Sequence, residues 1–151
     1  MFSKSCQYAI QSLLYIALHG NETKAIKVKE VSETQEIPIH FLGKIMQTLV
    51  RHKILISTKG PTGGFILDNE KRNTTLLEIV EIIDGLEIFN QCGIGLKRCT
   101  DAQPCPIHHE YKVVKMRIRA LLESRTIARL AREVKEGNSI VSIVTEPLPK
   151  G

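Results

Sequence analysis

The chain has no apolar run long enough to cross a bilayer. The longest one near the N-terminus, Leu13 to Leu18, is far short of a span, and no small-residue cleavage site follows it. On both grounds the protein is expected in the cytoplasm and away from the membrane. Internal repeats and low-complexity tracts are missing as well. No Ser/His/Asp set, phosphate-cradling glycine loop or pair of carboxylates stands out, so an enzyme is not expected. One local absence is more informative: between Pro38 and Leu67 there is no Asp or Glu, while Lys44, Arg51, Lys53 and Lys59 are all present. A basic stretch without compensating acids suits a polyanionic partner.

What is present describes an ordinary globular chain. Apolar residues make up 42% of the 151 positions and charged ones 25%, with a formal net charge of +5. That is enough to bury a real core and too apolar for intrinsic disorder. Ser5 to His19 carries Ala9, Leu13, Ile16 and Ala17 at helical spacing and stops at Gly20-Asn21. A short second helix is predicted over about Val28 to Gln35, with Val28 and Val31 inward. Pro38 suits the first turn of a third, whose Phe41, Leu42, Ile45, Met46 and Leu49 repeat on one face to about His52. Two helices joined at "QEIP", with Lys44 and Arg51 on the outer side, have the outline of a helix-turn-helix.

Directly afterwards, "ILISTKGPTGGFIL" reads as two short strands, Ile54 to Thr58 and Gly64 to Leu67, around a Gly-Pro turn tipped by Lys59. A helix-turn-helix followed by a basic hairpin is a winged helix. Its third helix would read the major groove of double-stranded DNA, and its wing would reach a phosphate or the minor groove. Thr74 or Thr75 can cap a helix from Leu76 to Asp84, with Glu78, Glu81 and Asp84 facing outward. An amphipathic helix from Ile107 to about Leu122 and a last one from near Thr126 follow. The apolar stripe of the first, with Val114, Ile118, Leu121 and Leu122, needs a partner, and a second copy of the chain is the simplest. The expected architecture is mainly α with a small β-hairpin wing. It comprises a winged helix-turn-helix domain over 1–85, a cysteine-rich loop over 86–106, dimerisation helices over 107–136 and a tail over 137–151.

That loop, "QCGIGLKRCTDAQPCPIHH", holds three of the four cysteines and two of the five histidines. In a reducing compartment such a cluster is a metal or redox site more often than a structural disulfide. Iron-sulfur clusters take about four ligands, favour thiolates and tolerate irregular loops, so Cys92, Cys99 and Cys105 leave one ligand to find. Structural zinc normally takes cysteines in tight pairs, which are lacking here, and a bare thiol switch is the other rival. A small iron-sulfur electron carrier would use the same loop but would have no use for a basic winged module.

The N-terminal "CQYAIQSLLYIAL", the helix pair "ETQEIPIHFLGKIMQTLVRHKIL", the wing "KGPTGGF" and the spacing Cys92-x6-Cys99-x5-Cys105 together resemble the Rrf-type family of winged-helix regulators. That family includes IscR-, NsrR-, RirA- and CymR-like branches, and the IscR-like branch is nearest in motif. The resemblance covers residues 1–136 and implies a homodimeric bacterial transcription regulator acting on a palindromic operator. It implies an iron-sulfur cluster on Cys92, Cys99, Cys105 and His108, 2Fe-2S by preference and 4Fe-4S as the alternative, with His109 adjacent. The CymR-like branch, without a cluster, implies a thiol-switch or zinc-binding regulator instead. In another branch an acidic residue of the partner's first helix is the fourth ligand. Gln7 stands at that position here and is a poor donor, while its neighbour Cys6 is either a cross-dimer thiolate or a buried core residue. By family position His40, Gly43 and Lys44 face base edges, and Lys59, Gly60 and Pro61 form the wing. IscR-like members often carry an acid where Gly43 stands, so base discrimination falls to His40, Lys44 and Gln47, with Arg51 beside them. One extra residue separates Cys92 from Cys99 relative to the commonest family spacing.

Overall fold

The computed structural model describes residues 1–137, and the expectation of a strand-like or disordered tail falls almost wholly outside them. Six α-helices and one hairpin follow in the order α1 (Lys4–His19), α2 (Val28–Gln35), α3 (Ile39–Arg51), β1 (Leu55–Thr58), β2 (Gly64–Leu67), α4 (Leu76–Ile83), α5 (His108–Ser124) and α6 (Ile127–Lys135). Mainly helical with a two-stranded wing is thus the observed class.

Helix α1 is the central element and packs on α3, α4 and α6. Its face of Ala9, Leu13, Ile16 and Ala17 is buried, as the periodicity requires. Ser3 caps it by accepting from the Cys6 amide at 3.0 Å, and Asp84, just past α4, accepts from the Ser3 amide at 2.9 Å and from the Ser3 hydroxyl. Asp84 is therefore an exposed charge that also ties the start of α1 to the end of α4. Glu78 likewise closes a capping box with Thr75, and all three acids are exposed, as expected, with Glu81 making neither of these contacts. Thr75→Ala should lower unfolding free energy by about 1 kcal/mol in a urea titration, with Thr75→Ser retaining most of it.

Leu42, Ile45, Met46 and Leu49 of α3 are buried, but Phe41, which the same periodicity places with them, is 44% exposed. It sits at the edge of the apolar arc, and its ring meets Tyr8 edge-on at 5.8 Å. β1 and β2 pair antiparallel from Leu55 with Leu67 to Thr58 with Gly64. A third segment joins them, Ile26 exchanging both backbone hydrogen bonds with Phe65 at 2.8 and 2.9 Å. This approach needs Gly64, because a Cβ there would lie 2.5 Å from the Ile26 carbonyl oxygen, and its φ of +152° suits glycine.

Helices α5 and α6 do not form one unit. Ile127 and Ala131 of α6 enter the same core as α1, and the residues around Thr126 pair with those around Thr75. Helix α5 touches the winged domain on one side only, through Leu122 and the half-buried Ile118 against α4. Within one chain α6 thus packs with the winged domain: the chain leaves that core after Asp84 and returns to it at Thr126.

Candidate metal centre and nucleic-acid interface

Between α4 and α5 the chain makes one short 3-10 turn, Glu87–Phe89, and is otherwise irregular. Pro104 and Pro106 exclude regular pairing there. Local bonds shape the loop instead: Thr100 and Gln103 exchange backbone hydrogen bonds between Cys99 and Cys105, and the His108 amide donates to the Cys105 carbonyl at 3.0 Å. The Lys115 ammonium anchors the loop to α5 by donating to the Gln91 carbonyl at 2.7 Å. Gly93 lies against the Tyr111 ring, where a Cβ would come within 2.9 Å.

These constraints converge three thiols. The sulfurs of Cys92, Cys99 and Cys105 lie within 4.8 Å of one another, with Cys92 and Cys105 at 3.7 Å. Tetrahedral thiolate coordination at roughly 2.3 Å gives an edge of about 3.7 Å between two sulfurs on one metal. His108 adds its Nδ1, 3.1 Å from the Cys99 sulfur, and its Nε2 donates to Asp101 at 2.8 Å. The first turns of α5 place His108 and Lys112 on one face, and the Lys112 ammonium grips both Asp101 oxygens at 2.8 and 2.9 Å. Sequence reasoning misses Asp101 and Lys112 as site residues; their only signal is a four-residue His-to-Lys spacing opening a helix.

Electrostatics separate the thiols. The amides of Ile94 and Leu96 donate to Cys92, and with help from its cysteine neighbours they lower its pKa to about 7. The Cys105 amide favours the Cys99 thiolate too, but burial and the adjacent sulfurs outweigh it and raise that thiol. Lys112, and after it His108, hold Asp101 down at about 2.

Cys6 does not join this group. It is fully buried, in a small cluster with Leu77, Val80 and Leu122. Burial, with the Asp84 charge behind it, pushes its thiol from 9.0 to about 12. A proton held more tightly in the folded chain stabilises fully below pH 9.0, and that contribution is lost as pH rises toward 12. Wild-type unfolding free energy should fall above about pH 9 by an extra 1 kcal/mol or so per pH unit, a slope that Cys6→Ala removes in urea titrations at two alkaline pH values. Gln7 is engaged within its own chain, its side-chain amide donating to the Phe2 carbonyl.

A second constellation lies on α3. His40, Gly43, Lys44, Gln47 and Arg51 line one open groove, together with Ile39 and Thr48. Thr48, which no sequence pattern marks out, accepts from the Arg51 guanidinium at 3.1 Å. A Cβ at Gly43 would meet nothing within 4 Å, so this helix carries a flat spot open to solvent. Lys59, Gly60 and Pro61 are exposed at the hairpin turn. Among the described residues, Lys44, Arg51 and Lys59 have no carboxylate partner.

Residues 2–133 match the model of the Rrf2 family, described as an iron-dependent transcriptional regulator. The chain belongs to the Rrf2 family. A candidate HTH-type transcriptional regulator of Aquifex aeolicus is 32% identical over 132 residues, 86% of this chain and 90% of the relative. The HTH-type transcriptional regulator IscR of Sodalis glossinidius is 26% identical over 124 residues, 82% of this chain and 74% of that one. Two solved structures share the Rrf2 winged-helix fold. CymR, the global cysteine regulator of B. subtilis, superposes with a TM-score of 0.72 at 18% identity, covering 87% of this chain and 96% of its own. IscR of T. potens has a TM-score of 0.71 at 21% identity, covering 93% and 92%. This Rrf2 chain is thus a transcriptional regulator with three neighbouring cysteines able to bind a metal. Among the described residues, no helix is long and apolar enough to cross a membrane.

Proposed function

We propose that this protein is a homodimeric, cytoplasmic DNA-binding regulator whose operator affinity is set by an iron-sulfur cluster on Cys92, Cys99, Cys105 and His108. One observation carries the reading: three thiols from an irregular loop meet within 4.8 Å, and a histidine nitrogen lies 3.1 Å from one of them. The donor set suits the group. Three soft thiolates and an imidazole are a ligand complement for 2Fe-2S, and the Ile94, Leu96 and Cys105 amides supply the hydrogen bonds to sulfur that tune such sites. When bound, the cluster supplies a redox couple and a lability that report on the cell's iron and oxidants.

The chain's own residues provide the coupling. Lys115 and Gly93 tie the loop to α5, and α5 rests on α4 of the winged domain. Ordering of residues 92–108 therefore bears on the spacing of two winged domains across a dimer, and by linkage the two loop states bind DNA with different affinity. On the DNA, α3 enters the major groove of each half-site of a palindromic operator with His40, Lys44, Gln47 and Arg51, while Lys59, Gly60 and Pro61 approach the backbone. Lys59→Ala should weaken operator binding and reduce the slope of log affinity against log salt by about 0.9 for each phosphate the lysine no longer neutralises. An unchanged slope in a salt titration would remove Lys59 from the interface.

Iron, acid-labile sulfide and zinc measured on anaerobically purified protein test the cluster. About two iron and two sulfide per chain support 2Fe-2S, and about four of each support 4Fe-4S. Zinc without sulfide replaces this reading with structural zinc. A second reading, a metal-free thiol switch, is favoured by the 3.7 Å between the Cys92 and Cys105 sulfurs. It requires metal-free protein in which an oxidant joins those two residues and changes DNA affinity.

A further inference from the structure

The side chains around His108 form an ordered set of their own. Asp101, His108 and His109 place a carboxylate and two imidazoles within 4.8 Å of one another, a grouping that resembles a second metal site. Lys112 argues against that use, because its ammonium already holds both Asp101 oxygens at 2.8 and 2.9 Å, where a cation would have to bind. A carboxylate held by a lysine and receiving a ring N–H has a different use. It fixes how an imidazole is presented.

We infer that Asp101, held by Lys112, is the positioning residue that aims His108 Nδ1 at the cysteine centre. This rests on the reading of His108 as the fourth donor. An ionised carboxylate only accepts hydrogen bonds, so the 2.8 Å contact from His108 Nε2 to Asp101 puts a hydrogen on Nε2. The other nitrogen, Nδ1, is then the one that faces the sulfurs, 3.1 Å from that of Cys99. A histidine ligand whose far nitrogen donates to a carboxylate has its tautomer and its ring plane set at once. Two features make the device specific to this loop. Asp101 lies two residues after Cys99, so the same short turn delivers a sulfur to one nitrogen and a carboxylate to the other. Lys112 lies one helical turn after His108, so α5 holds the carboxylate from the same face that carries the ring. His109 lies close by with its ring perpendicular to that of His108, but it has no carboxylate partner among the hydrogen bonds of the described residues.

Cobalt(II) is the probe, since its visible bands report thiolate and imidazole donors whether or not the resident group is iron-sulfur. Asp101→Ala should weaken cobalt(II) affinity roughly 10- to 100-fold and shift the ligand-field bands, while the melting temperature of the metal-free protein stays close to wild type. Asp101→Asn retains an oxygen that accepts from Nε2 and should recover most of the affinity. In a His108→Ala background, Asp101→Ala should have no further effect, because its action runs through the ring. The inference is overturned if Asp101→Ala leaves affinity and bands unchanged, or if its effect persists undiminished in that background. Iron and sulfide analysis of the wild type decides the cluster reading separately, so a protein that binds cobalt(II) as described but takes up no sulfide would retain the positioning role and lose the cluster.

Discussion

Cys105→Ala should reduce iron and sulfide in the anaerobically reconstituted protein from a full complement to near zero, and should flatten the visible absorption of the cluster. Of the three thiols Cys105 is the most buried, and it is the one that joins the others: its sulfur lies 3.7 Å from that of Cys92, and its amide donates to that of Cys99 at 3.4 Å. A cluster needs about four ligands, so the two thiolates and one imidazole that remain cannot complete the set. The local fold has little to lose. The surrounding loop is held by backbone bonds of its own and by Lys115, and the thermal midpoint should move by only a few degrees, as for a loss of about 1 kcal/mol. Cys6→Ala should do the reverse. It removes a fully buried sulfur from a packed cluster, so it should cost about 1–2 kcal/mol of stability and leave iron and sulfide unchanged. A Cys105→Ala protein with wild-type iron and sulfide would exclude Cys105 as a ligand. A Cys6→Ala protein without them would bring Cys6 into the centre.

Val114→Glu combined with Leu121→Glu should convert the protein to a monomer and weaken binding to a palindromic operator at least ~100-fold. At about 100° per residue, Val114 and Leu121 form an arc of α5 beside Ile118, flanking the side anchored by Leu122 and Ile118, while Val113 and Met116 lie on the opposite side of the helix. All four are 48% exposed or more, and Met116 reaches 63%. Covering an apolar side chain contributes up to roughly 1.5–3 kcal/mol, so a two-fold interface that buries this arc in both copies has enough apolar surface to hold a dimer. Two glutamates would each have to be desolvated there, which costs more than the arc regains. Loss of the dimer removes the second half-site from each binding event, and linked half-sites typically exceed a single one by roughly 10²–10⁴ in affinity. Sedimentation velocity and operator titration check the two halves of this outcome. A double variant that sediments as a dimer would move the interface off α5.

Most of the element order is legible in the sequence because periodicity and capping are local. Helix α2 begins and ends where Val28, Val31 and the "QEIP" turn place it, and α4 starts behind Thr75 because Glu78 stands three residues on. The wing is legible from its Gly-Pro turn between two short apolar runs. Ile26 is not, because a single residue paired to β2 leaves no pattern along the chain. Phe41 is misplaced by its periodicity, because a spacing of three and four residues cannot separate the centre of an apolar arc from its edge.

By itself, the sequence determined the winged architecture, the acid-free basic surface and the three cysteines with His108 nearby, all of which are encoded in spacing along one stretch of chain. Only the tertiary structure decided that α6 returns to pack on α1 and leaves α5 alone with an open face. It alone separated Cys6, sealed in a core, from the three thiols that meet in the loop. It alone brought His108 and Lys112 onto the one Asp101 carboxylate behind the cysteine centre. The reason is the same in each case. A pattern of apolar and polar residues says which face of an element seeks cover, whereas what covers it depends on where distant segments end up once the chain has closed around its core.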